Sequence, residues 1–141
     1  MDFNDFETIS FPQDPDIVYA LGIECKGKFV PFYVGQTSRN IGRFGGYVSA
    51  KFSASTDFKV GEAVKCFFKK GYNVLIKFKK TKNKEIEEKN LLARLRGTIP
   101  LLNDFKGYDY KNADEKVEKQ KIQQFIDEFL NDLENICPTK N

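Results

Sequence analysis

Two β-prone runs held three residues apart constrain this chain more than any other feature. Residues 16–24 (Asp-Ile-Val-Tyr-Ala-Leu-Gly-Ile-Glu) and 28–35 (Lys-Phe-Val-Pro-Phe-Tyr-Val-Gly) are rich in branched and aromatic residues, with Cys25-Lys26-Gly27 between them. They read as a β-hairpin. A three-residue loop with glycine last fits a type I turn followed by a left-handed residue. That register pairs Glu24 with Lys28 and sets Tyr19 directly opposite Tyr33. Directly opposed residues have Cβ atoms about 5 Å apart and share one face of the sheet. A slip of one residue would send the two phenols to opposite faces.

The remaining elements follow from periodicity and caps. Residues 1–15 end in Pro12-Gln13-Asp14-Pro15 and read as an irregular lead-in. Residues 39–50 include a short helix weakened by Gly42, Gly45 and Gly46, on which Arg43 and Tyr47 (i, i+4) share a face. Phe58, Val60, Ala63, Val64, Phe67 and Phe68 predict a helix over 58–70 that Gly71 ends. Val74, Ile76 and Phe78 alternate with lysines in a third strand over 72–80. Asn83 is placed to cap a helix over 84–96 that Gly97 closes, with Ile86, Leu91, Leu92 and Leu95 on its buried side. Asn112-Ala-Asp-Glu115 resembles a capping box opening a long helix to about 136. Ile122, Phe125, Phe129, Leu133 and Ile136 step along that helix, and Ile126 and Leu130 widen the stripe, which is expected to pack on its own domain. This order predicts an α+β domain with a small antiparallel sheet.

With 141 residues, 40% of them apolar and 14% aromatic, the chain can bury one core. Charged residues make up 30%, and no apolar run approaches the roughly 18 to 20 residues of a spanning helix, so no membrane partner is expected. The acidic start, Met-Asp-Phe-Asn-Asp-Phe-Glu, lacks the basic residues of a secretory signal. Cys25, Cys66 and Cys137 are far apart and odd in number, which predicts free thiols in a reducing cytoplasm. Histidine is absent, so acid–base chemistry near neutral pH has to use other groups.

The formal charge is only +3, but it is unevenly spread. Residues 1–15 carry four acids and no base; residues 65–84 carry eight lysines (Lys65, Lys69, Lys70, Lys77, Lys79, Lys80, Lys82, Lys84) and no acid. Such a block either attracts a polyanion or forms an ordinary solvated face.

One set of residues carries chemistry. Phe32-Tyr33-Val34-Gly35-Gln36-Thr37 is followed by Arg43, ten residues after Tyr33, and by Tyr47, fourteen after it. Tyr19 lies upstream in Ile17-Val18-Tyr19, Glu88 opens Glu-Lys-Asn-Leu-Leu, and Asn103 closes Ile-Pro-Leu-Leu-Asn. Phenols, a guanidinium, a carboxylate and an amide suit the cutting of a phosphodiester. That reaction needs an activated water, neutralisation of transition-state charge and help for the leaving oxygen. In order and spacing these residues resemble the GIY-YIG nuclease family over about residues 16–103; the first motif reads Ile17-Val18-Tyr19, with its glycine replaced.

The resemblance implies a three-stranded antiparallel sheet flanked by helices. It implies a nuclease domain at 16–103, between the lead-in at 1–15 and a helical extension at 104–141 packed on the domain. It also implies a metal-dependent DNA endonuclease. Glu88 would hold one Mg2+ or Mn2+, with Glu87 as the fallback ligand; Mg2+ takes one or two carboxylates and fills its shell with water and phosphate oxygens. Arg43 would stabilise transition-state charge, with Arg39 a weaker candidate. Tyr33 or Tyr19 would take the proton from water, the preference falling on Tyr33. Tyr47 would donate to a phosphate oxygen or relay a proton. Asn103 would fix the loop near the site, and Gly35 would allow close backbone approach. Lys26 and Lys28 at the hairpin turn are expected to face solvent.

No zinc finger or helix-turn-helix is evident in the sequence. Targeting therefore falls to Lys65, Lys69, Lys70, Lys77 and Lys79 with the C-terminal helix, to a separate targeting protein, or to a homodimer. The alternatives are a non-catalytic nucleic-acid-binding module on the same fold, and an assembly protein that dimerises through its last helix.

Overall fold

The computed structural model describes residue 4 and residues 16–37, 46–47, 49–105 and 107–136, without the side chains of 135 and 136. Strands β1 (Ile17–Cys25), β2 (Lys28–Thr37) and β3 (Val74–Lys80) form one antiparallel sheet in the order β2-β1-β3. Helices α1 (Ser55–Lys69), α2 (Lys84–Leu95) and α3 (Glu115–Ile136) accompany it, with a 3-10 turn at Leu102–Asp104. The fold is the expected α+β arrangement of a three-stranded antiparallel sheet with helices and a long C-terminal helix. Among the described residues no helix is long and apolar enough to cross a membrane.

The hairpin differs from expectation in two places that offset each other. Its loop has two residues, with Cys25 paired to Lys28. Both loop residues are left-handed, Lys26 at φ 53° and Gly27 at φ 78°, as a type I′ turn requires. This register alone would carry Tyr33 to the face opposite Tyr19. A β-bulge corrects it: Gly22 pairs with Pro31, Leu21 pairs with Tyr33, and Phe32 between them has no cross-strand partner. Tyr19 therefore pairs with Gly35, and Tyr33 is its diagonal neighbour on the same face. Pro31, which cannot donate to a ladder, sits beside the bulge on an edge strand, where its missing N–H does least harm.

The odd-numbered residues of β1 point into the core. Ile17, Tyr19, Leu21 and Ile23 are buried together with Phe32, Val60, Ala63, Phe67, Leu101, Leu102, Ile122, Ile126 and Phe129. The bulge sends Phe32 inward as well, where its ring meets Phe67 at 4.8 Å and Phe129 at 6.3 Å between centroids. Burial of one such ring contributes about 2 to 3 kcal/mol. Ile122, Phe125, Phe129 and Leu133 make the α3 stripe part of this same core.

Several local readings need correction. Asp114 caps α3: its Oδ1 accepts the Lys116 amide at 2.9 Å, while Asn112 bonds Asp109 instead. Asn83 occupies the N-cap of α2 but makes no side-chain cap bond. None of the α2 residues is fully buried, and Ile86, expected on the inner side, is 54% exposed. Gly71 and Gly97 do stop their helices, with φ of 90° and 86°. Cys66 is a free thiol as expected, but Cys25 is disulfide-bonded, against the expectation of free thiols throughout. Cys137 lies outside the described residues.

Candidate active site

The three sequence-selected phenols meet. Tyr19 comes from β1, Tyr33 from β2 beyond the bulge, and Tyr47 from a helical stretch at 46–47. Their ring centroids lie 6.5 Å (Tyr19–Tyr33), 6.5 Å (Tyr19–Tyr47) and 6.2 Å (Tyr33–Tyr47) apart. The Tyr19 and Tyr47 hydroxyls are hydrogen-bonded to each other across 28 positions of sequence. Tyr19 is 1% and Tyr47 2% exposed, whereas Tyr33 is only partly buried. Water can therefore reach Tyr33 most readily.

Gly35 is what lets Tyr19 lie there. A Cβ on Gly35 would come within 2.5 Å of Tyr19 Cζ, because the ring lies over its cross-strand partner. Only a residue without a side chain permits this approach.

Asn103 holds the next residue of the same strand. Its Oδ1 accepts the Val34 amide at 2.8 Å, and its Nδ2 donates to the Val34 carbonyl at 2.7 Å. β2 is an edge strand, so Val34 turns these groups away from β1, and the side-chain amide satisfies both as a neighbouring strand would. The flanking Leu101 and Leu102 are buried and anchor the turn that carries Asn103. Arg96, just past α2, donates to Asp104 Oδ1 from Nε (3.1 Å) and Nη2 (3.0 Å), tying α2 to that turn.

Glu88 projects from α2 on the stripe it shares with Leu92 and Leu95, which pack against the hydrophobic core, while its neighbour Glu87 reaches Lys79 on the sheet side opposite to Tyr19. Glu88 is half-buried. Burial, and then the nearby Glu85 carboxylate, raise its pKa above the ordinary glutamate value. A half-buried carboxylate beside a second carboxylate is an arrangement whose strain a hard divalent cation would relieve. Among the described residues, no group of three or more His, Cys, Asp and Glu side chains is arranged to hold a metal. Glu87 pairs with Lys79 at 3.0 Å and is the less available of the two. Arg43 and Arg39 lie outside the described residues.

The matches to known proteins add nothing to this geometry. No family model, no curated protein and no solved structure matches the chain.

The lysine block does not make one face. Lys77 and Lys79 pair with Ala20 and Val18 and so project from the side of the sheet opposite Tyr19. There Lys77 lies over the Phe29 ring at 5.1 Å and Lys79 pairs with Glu87. Lys65 and Lys69 belong to α1, on the core side, and Lys70 pairs with Asp127 at 3.5 Å. The alternation of a strand splits what is contiguous in sequence.

Two polar residues that sequence reasoning passed over tie down the chain just after the Asn103 turn. Lys59 is buried on α1, donates to the Phe105 carbonyl at 2.9 Å and lies over the Phe105 ring at 5.4 Å. Burial pulls its pKa down, and the Glu118 carboxylate pulls it back up. Tyr108 donates to the Phe52 carbonyl at 2.7 Å and stacks on the Phe52 ring at 4.5 Å. Together they hold the segment that follows Asn103. Lys59 shares its helix face with Ser55, Thr56 and Glu62 as well as Ala63, so no pattern in the sequence marks it.

Proposed function

We propose that the protein is a divalent-metal-dependent DNA endonuclease of the GIY-YIG type that hydrolyses a phosphodiester by in-line attack of water. The observation that carries this reading is the meeting of Tyr19, Tyr33 and Tyr47, with Gly35 and Asn103 holding the strand between them. A plain core has no need of three mutually adjacent phenols.

Tyr33, the phenol nearest solvent, takes the proton from the attacking water. Tyr19 and Tyr47 fix its ring through their contacts and orient the hydroxyl network. Glu88 is the residue that would hold one Mg2+ or Mn2+; bound there, the ion supplies charge neutralisation for the phosphate oxygens. Arg43 is assigned to the developing phosphorane charge by its sequence position alone. The Cys25 disulfide removes the thiol argument for a reducing compartment, so an intracellular place of action rests on DNA as substrate alone, and a separate targeting protein or a second copy supplies sequence choice.

The burial of Tyr19 and Tyr47 favours a second reading, a non-catalytic nucleic-acid-binding module. Two buried hydroxyls bonded to each other also satisfy the needs of a core. Plasmid nicking with Mg2+ or Mn2+ separates the two. The nuclease reading expects open circles from the native protein and a loss of roughly 100-fold or more in Glu88→Ala. The module reading expects DNA retention with no nicking by either.

A further inference from the structure

On the side of the sheet that carries Tyr19, β3 leaves an apolar strip uncovered. Phe78 is the cross-strand partner of Tyr19 and Ile76 that of Leu21, yet Phe78 is 55% and Ile76 40% exposed. Phe68, on the last turn of α1, is 71% exposed. Phe68, Lys65 and Lys69 line a groove of about 680 Å³ between the end of α1 and the start of β3, floored by Val64 and Val74. Lys80, two residues beyond Phe78, projects on the same side of β3. Two open aromatic rings stand among Lys65, Lys69 and Lys80, of which Lys65 also reaches Glu62 at 3.7 Å, and this mix of rings and ammonium groups complements an unpaired polyanion strand.

We infer that this strip, from Phe78 beside Tyr19 to the Phe68 groove, docks single-stranded nucleic acid, so that the preferred substrate carries an unpaired strand next to the scissile phosphate. Exposed rings stack on bases whose faces are free, and duplex bases have none to offer. Lysines along the path take the phosphates. A second copy pairing edge to edge through β3 is disfavoured because Lys77, Lys79 and Lys80 would face their like. The word substrate rests on the proposed function; the binding itself does not.

The test is fluorescence anisotropy with a labelled 20-nucleotide single strand and with the same sequence as duplex, titrated with the full chain. The single strand is expected to bind more tightly. Phe68→Ala and Phe78→Ala should each weaken that binding by roughly tenfold, because each removes one stacked base. Both side chains are exposed, so folding is checked by circular dichroism and is expected to be unchanged. Equal affinity for strand and duplex, binding indifferent to both substitutions, or no binding overturns the inference. So does self-association that Phe78→Ala abolishes, which would make the strip a dimer contact. Strand binding that depends on Phe68 and Phe78 in a protein that nicks no plasmid would refute the nuclease and leave the strip standing.

Discussion

The side-chain amide of Asn103 bonds both backbone groups of Val34, the residue between Tyr33 and Gly35, at 2.8 and 2.7 Å. One side chain thereby does the work of a fourth strand at the edge of β2, beside the phenol that faces water. Asn103→Ala should cost about 1 to 3 kcal/mol in urea denaturation, since it leaves the Val34 groups without their partner. Asn103→Asp should cost at least as much, because an oxygen replaces the Nδ2 donor against the Val34 carbonyl. Equal stability of Asn103→Asp and the native protein would show that the clamp does not hold the strand.

Gly35→Ala should destabilise by about 1 to 3 kcal/mol through the clash with Tyr19. The clash is with ring carbon as well as hydroxyl, so the same substitution in a Tyr19→Phe background should cost a similar amount. Full relief by Tyr19→Phe would mean that the ring does not lie over Gly35. Thermal melts of the single and double variants decide it.

Glu88 has its pKa raised, first by burial and then by Glu85. The fold therefore favours its protonated form. Its contribution is present below the ordinary glutamate value and is lost as pH rises through the raised one. Glu88→Gln should raise Tm near pH 7, with the gain vanishing near pH 4. Mg2+ should raise the Tm of the native protein and leave that of Glu88→Gln unchanged. A residue that costs stability until an ion arrives is in keeping with a functional role. Insensitivity of both proteins to Mg2+ and Mn2+ would remove the metal from Glu88.

Tyr108 has its pKa pushed up to about 12 by burial, then by Glu118, Glu115 and Glu62. Its stabilising effect should be complete below the ordinary phenol value of about 10 and should fade as pH climbs through 12. Tyr108→Phe, which loses the bond to the Phe52 carbonyl, should cost about 1 kcal/mol near pH 8. The gap between the two proteins should narrow toward pH 11. Denaturant curves across that range would expose a constant gap if the phenol titrates no differently in the fold.

Much of this was legible in the sequence, for reasons specific to each element. Branched and aromatic runs marked β1 and β2, and three- and four-residue spacing marked α3 with its inward stripe. The partners of Tyr33 were not legible, because a two-residue turn and a bulge at Phe32 each shift the register by one. Pro31 within a strand was the available sign of that irregularity. The lysine block misled because contiguity says nothing about face: Lys77 and Lys79 lie across the sheet from Lys65 and Lys69. Asn103 was legible as a positioning residue, but its target, the backbone of Val34, depends on β2 being an edge. The Cys25 disulfide was hidden because spacing alone pairs no cysteines.

The nicking rate of supercoiled plasmid with Mg2+ across pH, for the native protein, Tyr33→Phe and Glu88→Ala, decides whether a phenol and a Glu88-bound ion cut the phosphodiester. Native cleavage should keep rising into mildly alkaline pH, as a phenol base requires, and should fall by roughly 100-fold or more in each variant. Cleavage at the native rate by either variant, or a profile already flat from about pH 6, would contradict that chemistry.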